Sequence, residues 1–146
     1  MLSEDLGDRV LVHHRVRFGD CDPARIAYTG QLVDFAIVAI DEFLKVALGG
    51  PGWYELNLDH GIGVPFVSLS VDFAAPVTPR ASLQTEVHVT GRGRSSISFA
   101  VTASQTGVPV FAGRFTSVFV ELSTLKSREP PDWIIRALDR FLPVSA

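Results

Sequence analysis

The sequence predicts an α+β fold in which a curved antiparallel β-sheet wraps around one long central helix. The first observation is the segment from residue 31 to residue 48, where only five side chains are polar: Gln31, Asp34, Asp41, Glu42 and Lys45. A helix that is apolar nearly all the way round is buried nearly all the way round. In a chain of 146 residues, only a sheet wrapped around the helix can bury it in this way. The second observation is the order of the segments along the chain, which is β-α-β-β-β-β-α.

Each element carries its own local signal. Arg9–Phe18 alternates apolar and polar side chains, as a half-buried strand does, and Gly49 and Gly50 end the long helix. The segment Trp53–His60 predicts a short helix. Glycine-containing links predict hairpins, and therefore antiparallel neighbours, among four strand-like runs. These runs are Val64–Phe73, Ala81–Thr90, Ser95–Ser104 and Val108–Leu122.

The tail predicts one further helix, with Asp132 as its N-cap. Residues 1–8 are expected to be a disordered or loosely packed lead, and residues 143–146 are a second candidate for disorder. No linker is long enough to divide the chain, so residues 1–146 are expected to form a single domain.

The composition limits the classes of function. The net charge of −3 and the pI near 5.7 argue against a general nucleic-acid binder, which normally has a basic face. A single cysteine, Cys21, suits a reducing cytosol, and no apolar run approaches the span of about 20 residues that crosses a membrane. We therefore expect a cytoplasmic protein. The 47% apolar content and mean hydropathy of +0.25 indicate an interface with a second copy.

The segment FGDCDPARIAYTG (residues 18–30) places Asp20 and Asp22 just ahead of the long helix. The first turn of a helix has free backbone N–H groups and a partial positive charge, so it can hold a polarised carbonyl oxygen. A carboxylate one turn upstream of such a site is a candidate catalyst. Asp20 is expected to bond loop amides instead.

The segment FGDCDPARIAY resembles the signature F-G-D-C-D-P-A-G-I-V-x-Y of the 4-hydroxybenzoyl-CoA thioesterases, which have the hotdog fold. The resemblance implies hydrolysis of an acyl-CoA thioester without a metal or an organic cofactor, with a hydroxybenzoyl-type acyl group placed first. It also implies a homodimer with a continuous sheet and active sites at the dimer interface. In the family that the segment resembles, such dimers often pair again into a homotetramer.

The resemblance also assigns roles to residues. Asp22 matches the catalytic carboxylate, which attacks the thioester carbonyl or activates a water; both routes stay open. The backbone N–H near Thr29 matches the group that polarises the carbonyl oxygen. Tyr28 ends the motif and is assigned to substrate binding, together with Arg92 and Arg94, which match a basic cluster that meets the CoA phosphates.

The chain departs from the family pattern at two places. Arg25 stands where the motif has glycine, and Thr29-Gly30-Gln31-Leu32 replaces the more usual Tyr-Pro-Asn-Tyr at the helix start. These positions border the acyl pocket, which leaves the identity of the acyl group open. Aromatic side chains that could line such a pocket are Trp53, Tyr54, Phe66 and Phe73.

Several alternatives stay open at this stage. Asp34 is the second candidate for the carboxylate, because another hotdog lineage carries its carboxylate on the helix. The substrate could be a short- or medium-chain aliphatic acyl-CoA or an acyl carrier protein, and the domain could bind acyl-CoA without hydrolysing it. A hotdog hydratase would need a catalytic histidine near the helix, typically in a His-Phe-Pro-Gly-like segment, and no such segment precedes Gln31. The four histidines show no metal-ligand spacing.

Overall fold

The computed structural model describes residues 1–144, which form a large antiparallel sheet, a small sheet and three α-helices. The elements in chain order are β1 (Leu2–Asp5), β2 (Val10–His14), α1 (Thr29–Leu48), α2 (Trp53–His60), β3 (Ile62–Gly63), β4 (Phe66–Phe73), β5 (Leu83–Arg92), β6 (Ser96–Gln105), β7 (Val108–Val118), β8 (Val120–Glu121), β9 (Lys126–Ser127) and α3 (Asp132–Asp139).

The large sheet has the strand order β1-β2-β5-β6-β7-β4, and the small sheet has the order β3-β8-β9. All pairings are antiparallel, and α1 packs on the inner face of the large sheet. This is the hotdog arrangement of the α+β class, so the predicted fold class is confirmed. Among the described residues, no helix is both long enough and apolar enough to cross a membrane.

The expectation of a disordered N-terminal segment at residues 1–8 is wrong, because Leu2–Asp5 forms β1. This strand pairs with β2 in the register Leu2↔His13 to Asp5↔Val10. Arg140 fixes it from the other end of the chain, since its guanidinium donates to the Asp5 carboxylate at 2.7 Å. Of the tail expected to be disordered, 143–146, residues 145 and 146 lie outside the described part of the chain.

Strand β2 is shorter than the sequence predicts. The alternation continues to Phe18, but the strand ends at His14 and residues 18–20 form one turn of 3₁₀ helix. The Asp20 carboxylate accepts a hydrogen bond from the Arg17 backbone N–H at 2.7 Å, which closes this turn. As expected, Asp20 bonds a loop amide.

One face of α1 forms the centre of the core. Phe43 is fully buried and packs edge-on against Phe99 and Phe141, with ring centroids 5.4 and 4.7 Å apart. Burying one such side chain stabilises the fold by about 1.5–3 kcal/mol. The helix ends as predicted at Gly49, which adopts the left-handed conformation (φ 74°) and donates its N–H to the carbonyl of Lys45.

The opposite face of α1 is covered less than its composition predicts. The sequence predicts burial on nearly all sides, but Val33, Ile37, Val38 and Val46 are only half-buried within one chain. The sheet of a single chain therefore leaves an apolar stripe of the helix uncovered.

A buried histidine lies between α1 and the sheet. The side chain of His14 is 1% exposed, its Nε2 lies 2.8 Å from the hydroxyl of Thr85, and its ring meets Phe35 edge-on at 5.2 Å. Thr85 donates in turn to the carbonyl of Val12, so we assign the proton to Nε2. Burial lowers the pKa of His14 to about 4, although the charge of Glu42 opposes this shift.

We expect His14 to make the protein less stable as the pH falls. The unfolded chain binds a proton on His14 near its ordinary pKa of 6.5, whereas the folded protein does so only near 4. Stability is therefore lost between pH 6.5 and pH 4, by about 3 kcal/mol in total. The measurement is the unfolding free energy of wild type and of His14→Gln at pH 7.5 and pH 4. Between pH 7.5 and pH 4, the unfolding free energy of wild type should fall by about 3 kcal/mol more than that of His14→Gln. If the difference in unfolding free energy between the two proteins were the same at both pH values, the low pKa assigned to His14 would be contradicted.

Candidate active site

The motif ahead of α1 folds into a tight hairpin that fixes the backbone of Asp22. Cys21 and Ala27 form a bridge at its base, and the Arg25 N–H donates to the Asp22 carbonyl at 2.9 Å. Proline at position 23 suits this turn because its φ is fixed near −65°. The hairpin is tied to the body of the protein by the Ala27 N–H, which donates to the carbonyl of Val77 at 2.8 Å.

The Asp22 carboxylate is exposed, and among the described residues only one of its two oxygens accepts a hydrogen bond. Its Oδ1 accepts the N–H of Ala24 at 2.8 Å, as in an Asx turn. Within residues 1–144, Oδ2 has no hydrogen-bond partner in the structure. The carboxylate is therefore oriented by one bond while its second oxygen is free to meet a ligand.

Arg25 occupies the motif's glycine position in a left-handed conformation, with φ at 70°. A side chain in this region costs about 1–2 kcal/mol relative to the right-handed region, which explains why glycine suits the position. The Arg25 side chain is exposed and forms no ion pair with any residue of the described chain.

Two backbone amides are free at the start of α1. The first helical hydrogen bonds run from the N–H groups of Gln31 and Leu32 to the carbonyl of Tyr28. Within the part of the chain that the structure describes, the N–H groups of Thr29 and Gly30 have no acceptor, and no side chain caps the helix. An exposed helix start with two free donors can bind a carbonyl oxygen or an oxyanion. The hypothetical Cβ of residue 30 would lie 3.3 Å from the Tyr28 ring, so that ring lies beside the free amides.

The structure brings three of the predicted site residues together and separates the other two from them. Asp22, Tyr28 and Thr29 share the hairpin and the helix start, next to the end of β2. This region adjoins the beginning of β5, because His14 pairs with Leu83. Arg92 ends the same ten-residue strand, about 30 Å further along it. Within one chain, Arg92 and Arg94 therefore cannot serve the same small site as Asp22.

The two arginines are available for an anion but are not preorganised for one. Arg92 donates to the neighbouring carbonyl of Gly93 at 3.2 Å. Arg94 is 81% exposed at its side chain and lies 3.9 Å from the Glu129 carboxylate, and an exposed pair at that distance contributes little to stability.

An apolar cavity of about 410 Å³ opens at the same end of the sheet as Arg92. It lies between the second half of α1, α2 and the strands β4, β6 and β7, and its volume is within the range of small-molecule sites. Of the aromatic residues considered from the sequence, Trp53 and Phe66 line it, whereas Tyr54 and Phe73 do not. Its apolar lining includes Ile37, Ile40, Leu44, Val64, Ile97 and Phe99.

Two polar side chains on the helices that line this cavity differ in their partners. Asp41 accepts the backbone N–H of Trp53 at 2.8 Å and lies 3.6 Å from the ammonium of Lys45. The amide oxygen of Asn57 is buried and has no partner within the described residues. Sequence reasoning missed Asn57, since nothing in the local pattern of α2 distinguishes this asparagine from a solvated one.

Asp34, the second candidate carboxylate, lies on the exposed side of the first turns of α1. It accepts a hydrogen bond from the Gln31 amide at 3.3 Å and does not line the apolar cavity. Among residues 1–144, no three His, Cys, Asp or Glu side chains are grouped closely enough to hold a metal ion.

Comparisons with known proteins agree with this architecture. The family model described as the Thioesterase-like superfamily matches residues 16–138. A thioesterase-superfamily protein from Jannaschia sp. CCS1 is 42% identical, with 99% of each chain covered and a TM-score of 0.88. A search of curated proteins found no match.

Two more distant structures share the fold. A 1,4-dihydroxy-2-naphthoyl-CoA thioesterase from Synechocystis is 18% identical over 90% of this chain and 96% of its own, with a TM-score of 0.80. The 4-hydroxybenzoyl-CoA thioesterase from Pseudomonas sp. strain CBS-3 is 24% identical over 89% of this chain and 99% of its own, with a TM-score of 0.79. At these identities the likeness concerns the fold alone.

We expect Arg25→Gly to stabilise the protein, because it removes the left-handed side chain at the tip of the hairpin. The unfolding free energy should rise by roughly 0.5–1 kcal/mol, which is the relief of the left-handed strain minus the entropic cost of the more flexible glycine in the unfolded chain. Denaturant unfolding would measure it. Arg25→Ala is the control, since it removes the charge but keeps the Cβ. If both variants gained equally, charge rather than backbone conformation would be the cause.

Proposed function

The chain belongs to the thioesterase-like superfamily, and from that premise we propose that it hydrolyses an aromatic, hydroxybenzoyl-type acyl-CoA to the free acid and CoA. Thioester hydrolysis in a hotdog fold follows from the family itself. The observation that carries the residue assignment is the exposed Asp22 carboxylate, held by its hairpin ahead of two free amides at the start of α1. We therefore place the chain with the 4-hydroxybenzoyl-CoA thioesterases as a proposal within the superfamily.

In the proposed reaction, the Thr29 N–H donates to the thioester carbonyl oxygen and stabilises the negative charge that develops there. A donor of this kind typically lowers the barrier by about 3–4 kcal/mol. Asp22 then acts in one of two ways. As a nucleophile, it forms a mixed anhydride and expels the CoA thiolate, and water hydrolyses the anhydride. As a general base, it takes a proton from water, which attacks the carbonyl and expels the thiolate.

We propose that the active form is a homodimer paired along β4, which pairs again into a homotetramer. Strand β4 is an edge of the large sheet, and Leu69 and Phe73 remain 47% and 45% exposed on its inner face. An exposed apolar edge strand is a template for pairing with another chain. The half-buried stripe of α1 is a second apolar surface that a partner would cover.

The proposed dimer would also explain why the predicted site residues lie far apart within one chain. We propose that Asp22 and Thr29 of one chain meet the apolar cavity, Arg92 and Arg94 of its partner. The acyl group would occupy the cavity, Tyr28 would border the thioester, and the arginines would bind the phosphates of CoA. In this arrangement each dimer has two sites, and neither chain has a complete one.

A second candidate substrate is a short- or medium-chain aliphatic acyl-CoA, or the same acyl group on a carrier protein. The apolar lining of the cavity supports this second candidate, because such a lining accepts an alkyl chain as well as an aromatic ring. We further propose the cytoplasm as the location, which the single cysteine supports.

We expect Asp22→Asn to lower kcat by at least about a hundredfold, because it removes the acid-base or nucleophilic group. The assay is steady-state hydrolysis of a panel of aromatic and aliphatic acyl-CoAs, followed by the released thiol. Asp34→Asn is the matched control and should retain near-normal turnover. If Asp34→Asn lost the activity and Asp22→Asn kept it, the catalytic carboxylate would be Asp34. The relative rates across the panel separate the aromatic proposal from the aliphatic one.

We expect Leu69→Lys to dissociate the dimer, because it places a charge on the apolar inner face of β4. Its molar mass by light scattering should fall to that of one chain, and its activity should fall with it. Ser70→Lys is the control on the same strand, since Ser70 points to the opposite face and pairs with Arg114 in the register. An active, dimeric Leu69→Lys protein would rule out pairing along β4.

A further inference from the structure

Gln105 is a buried glutamine at the end of β6 whose side chain binds a loop. Its Oε1 accepts the N–H of Thr78 at 3.1 Å, and its Nε2 donates to the carbonyls of Thr78 and Ala81 at 2.7 and 2.8 Å. Both N–H groups of the side-chain amide are therefore used, and their partners fix which end of the amide is nitrogen. Glutamate could not make the two donations, and asparagine is shorter by one methylene.

The loop that Gln105 holds also supports the hairpin that carries Asp22. The N–H of Thr78 and the carbonyl of Val77 belong to one peptide unit, and in a trans unit they point in opposite directions. Gln105 binds the N–H, and the carbonyl accepts the N–H of Ala27, in the hairpin, at 2.8 Å. Val77 and Ala27 are both buried, so this contact lies in the interior, where a hydrogen bond is stronger than in water.

The same relation recurs between Ala27 and Asp22. The N–H of Ala27 shares a peptide unit with the carbonyl of Ile26, which accepts the N–H of Asp22 at 3.1 Å. Three hydrogen bonds and two peptide units, which we call the hydrogen-bond series, therefore connect the side chain of Gln105 to the backbone of Asp22. Bonds arranged in this way polarise one another. A rotation of the first peptide unit would misalign its bond to Ala27 and loosen the hairpin.

We propose that Gln105 is a positioning residue, which holds the Asp22 carboxylate in its reactive place through the hydrogen-bond series. Gln105 acts through the backbone and not on the substrate. This inference rests on the proposed function, since it takes Asp22 as the catalytic carboxylate. A displacement of about 1 Å at a reacting group can slow a reaction about a hundredfold, so a loosened hairpin lowers kcat. The acyl-CoA is bound by other groups, and KM therefore changes little.

The kinetic test uses Gln105→Met, which removes the three hydrogen bonds of the side chain but keeps its length. With the acyl-CoA that wild type hydrolyses fastest, kcat should fall at least tenfold while KM changes less than threefold. Val101→Ala is the control, because this fully buried residue of the same strand supports the core but takes no part in the hydrogen-bond series. At a temperature where all three proteins are folded, its kcat should stay within twofold of wild type.

A purely structural role for Gln105 predicts a different result. In that case Gln105→Met and Val101→Ala would lose kcat in proportion to their loss of melting temperature, or neither would lose it, and either outcome would overturn the proposal. Gln105→Asn is a second variant for the case that methionine prevents folding. It keeps a side-chain amide, but the missing methylene withdraws that amide from its partners, so kcat should again fall, by at least about threefold, with KM little changed.

Hydrogen exchange measured by NMR separates this proposal from the proposed function, because it requires no activity. In Gln105→Met, the backbone amides of Thr78, Ala27 and Asp22 should all exchange at least tenfold faster than in wild type, and in Val101→Ala they should exchange within threefold of wild type. If only the Thr78 amide exchanged faster, the loop would be held without any effect on the hairpin, and the proposal would be overturned. If all three exchanged faster while Asp22→Asn kept its activity, the connection from Gln105 to Asp22 would be supported and the proposed catalytic role of Asp22 would fail.

Discussion

The packing of α1 against the inner face of the large sheet is the contact on which the other parts of the site depend. Phe43 and its aromatic neighbours hold the second half of the helix, and His14 lies against Phe35 nearer its start. With the helix axis fixed, its uncapped first turn leaves two amides exposed. Its second half forms one wall of the cavity. A shift of α1 would therefore alter the proposed oxyanion site and the proposed acyl pocket together.

The predicted chemistry requires a carboxylate that is both oriented and accessible, and the hairpin provides both properties without burying the charge. One oxygen of Asp22 is engaged by a local amide and the other is left free. The buried hydrogen bond between His14 and Thr85 lies elsewhere, as does the Asn57 amide oxygen, which has no partner among the described residues. The rigidly packed side chains and the accessible carboxylate thus lie in different parts of the chain. In the proposed dimer, the partner chain would exclude water from the carboxylate, as a low-dielectric site requires.

The parts of the structure that sequence predicts are those with strong local signals. The apolar segment that becomes α1, the glycine stop at Gly49 and the hairpin links all depend on neighbours within a few residues. The strand β1 was missed because its residues, LSED, show no apolar alternation, and its anchor at Arg140 is 135 residues away in the chain. The left-handed backbone at Arg25 could have been predicted, since the motif has glycine there.

The site could be predicted only in part for the same reason. Asp22, Tyr28 and Thr29 are close in sequence and remain close in space. The separation of Arg92 from them follows from the register of β2 on β5, and the burial of the Asn57 amide follows from the docking of α2 on α1. Both are long-range features that no local pattern encodes.

The placement of Asp22 and Arg92 near opposite ends of β5, a strand about 30 Å long, has a genetic consequence if the sites are shared between chains. A chain that lacks the carboxylate still has a working cavity, and a chain with a blocked cavity still has a working carboxylate. In a mixed dimer of the two, one of the two composite sites has only intact parts, while the other has both defects. Two alleles that are each inactive alone would then restore activity when expressed together, which is intragenic complementation.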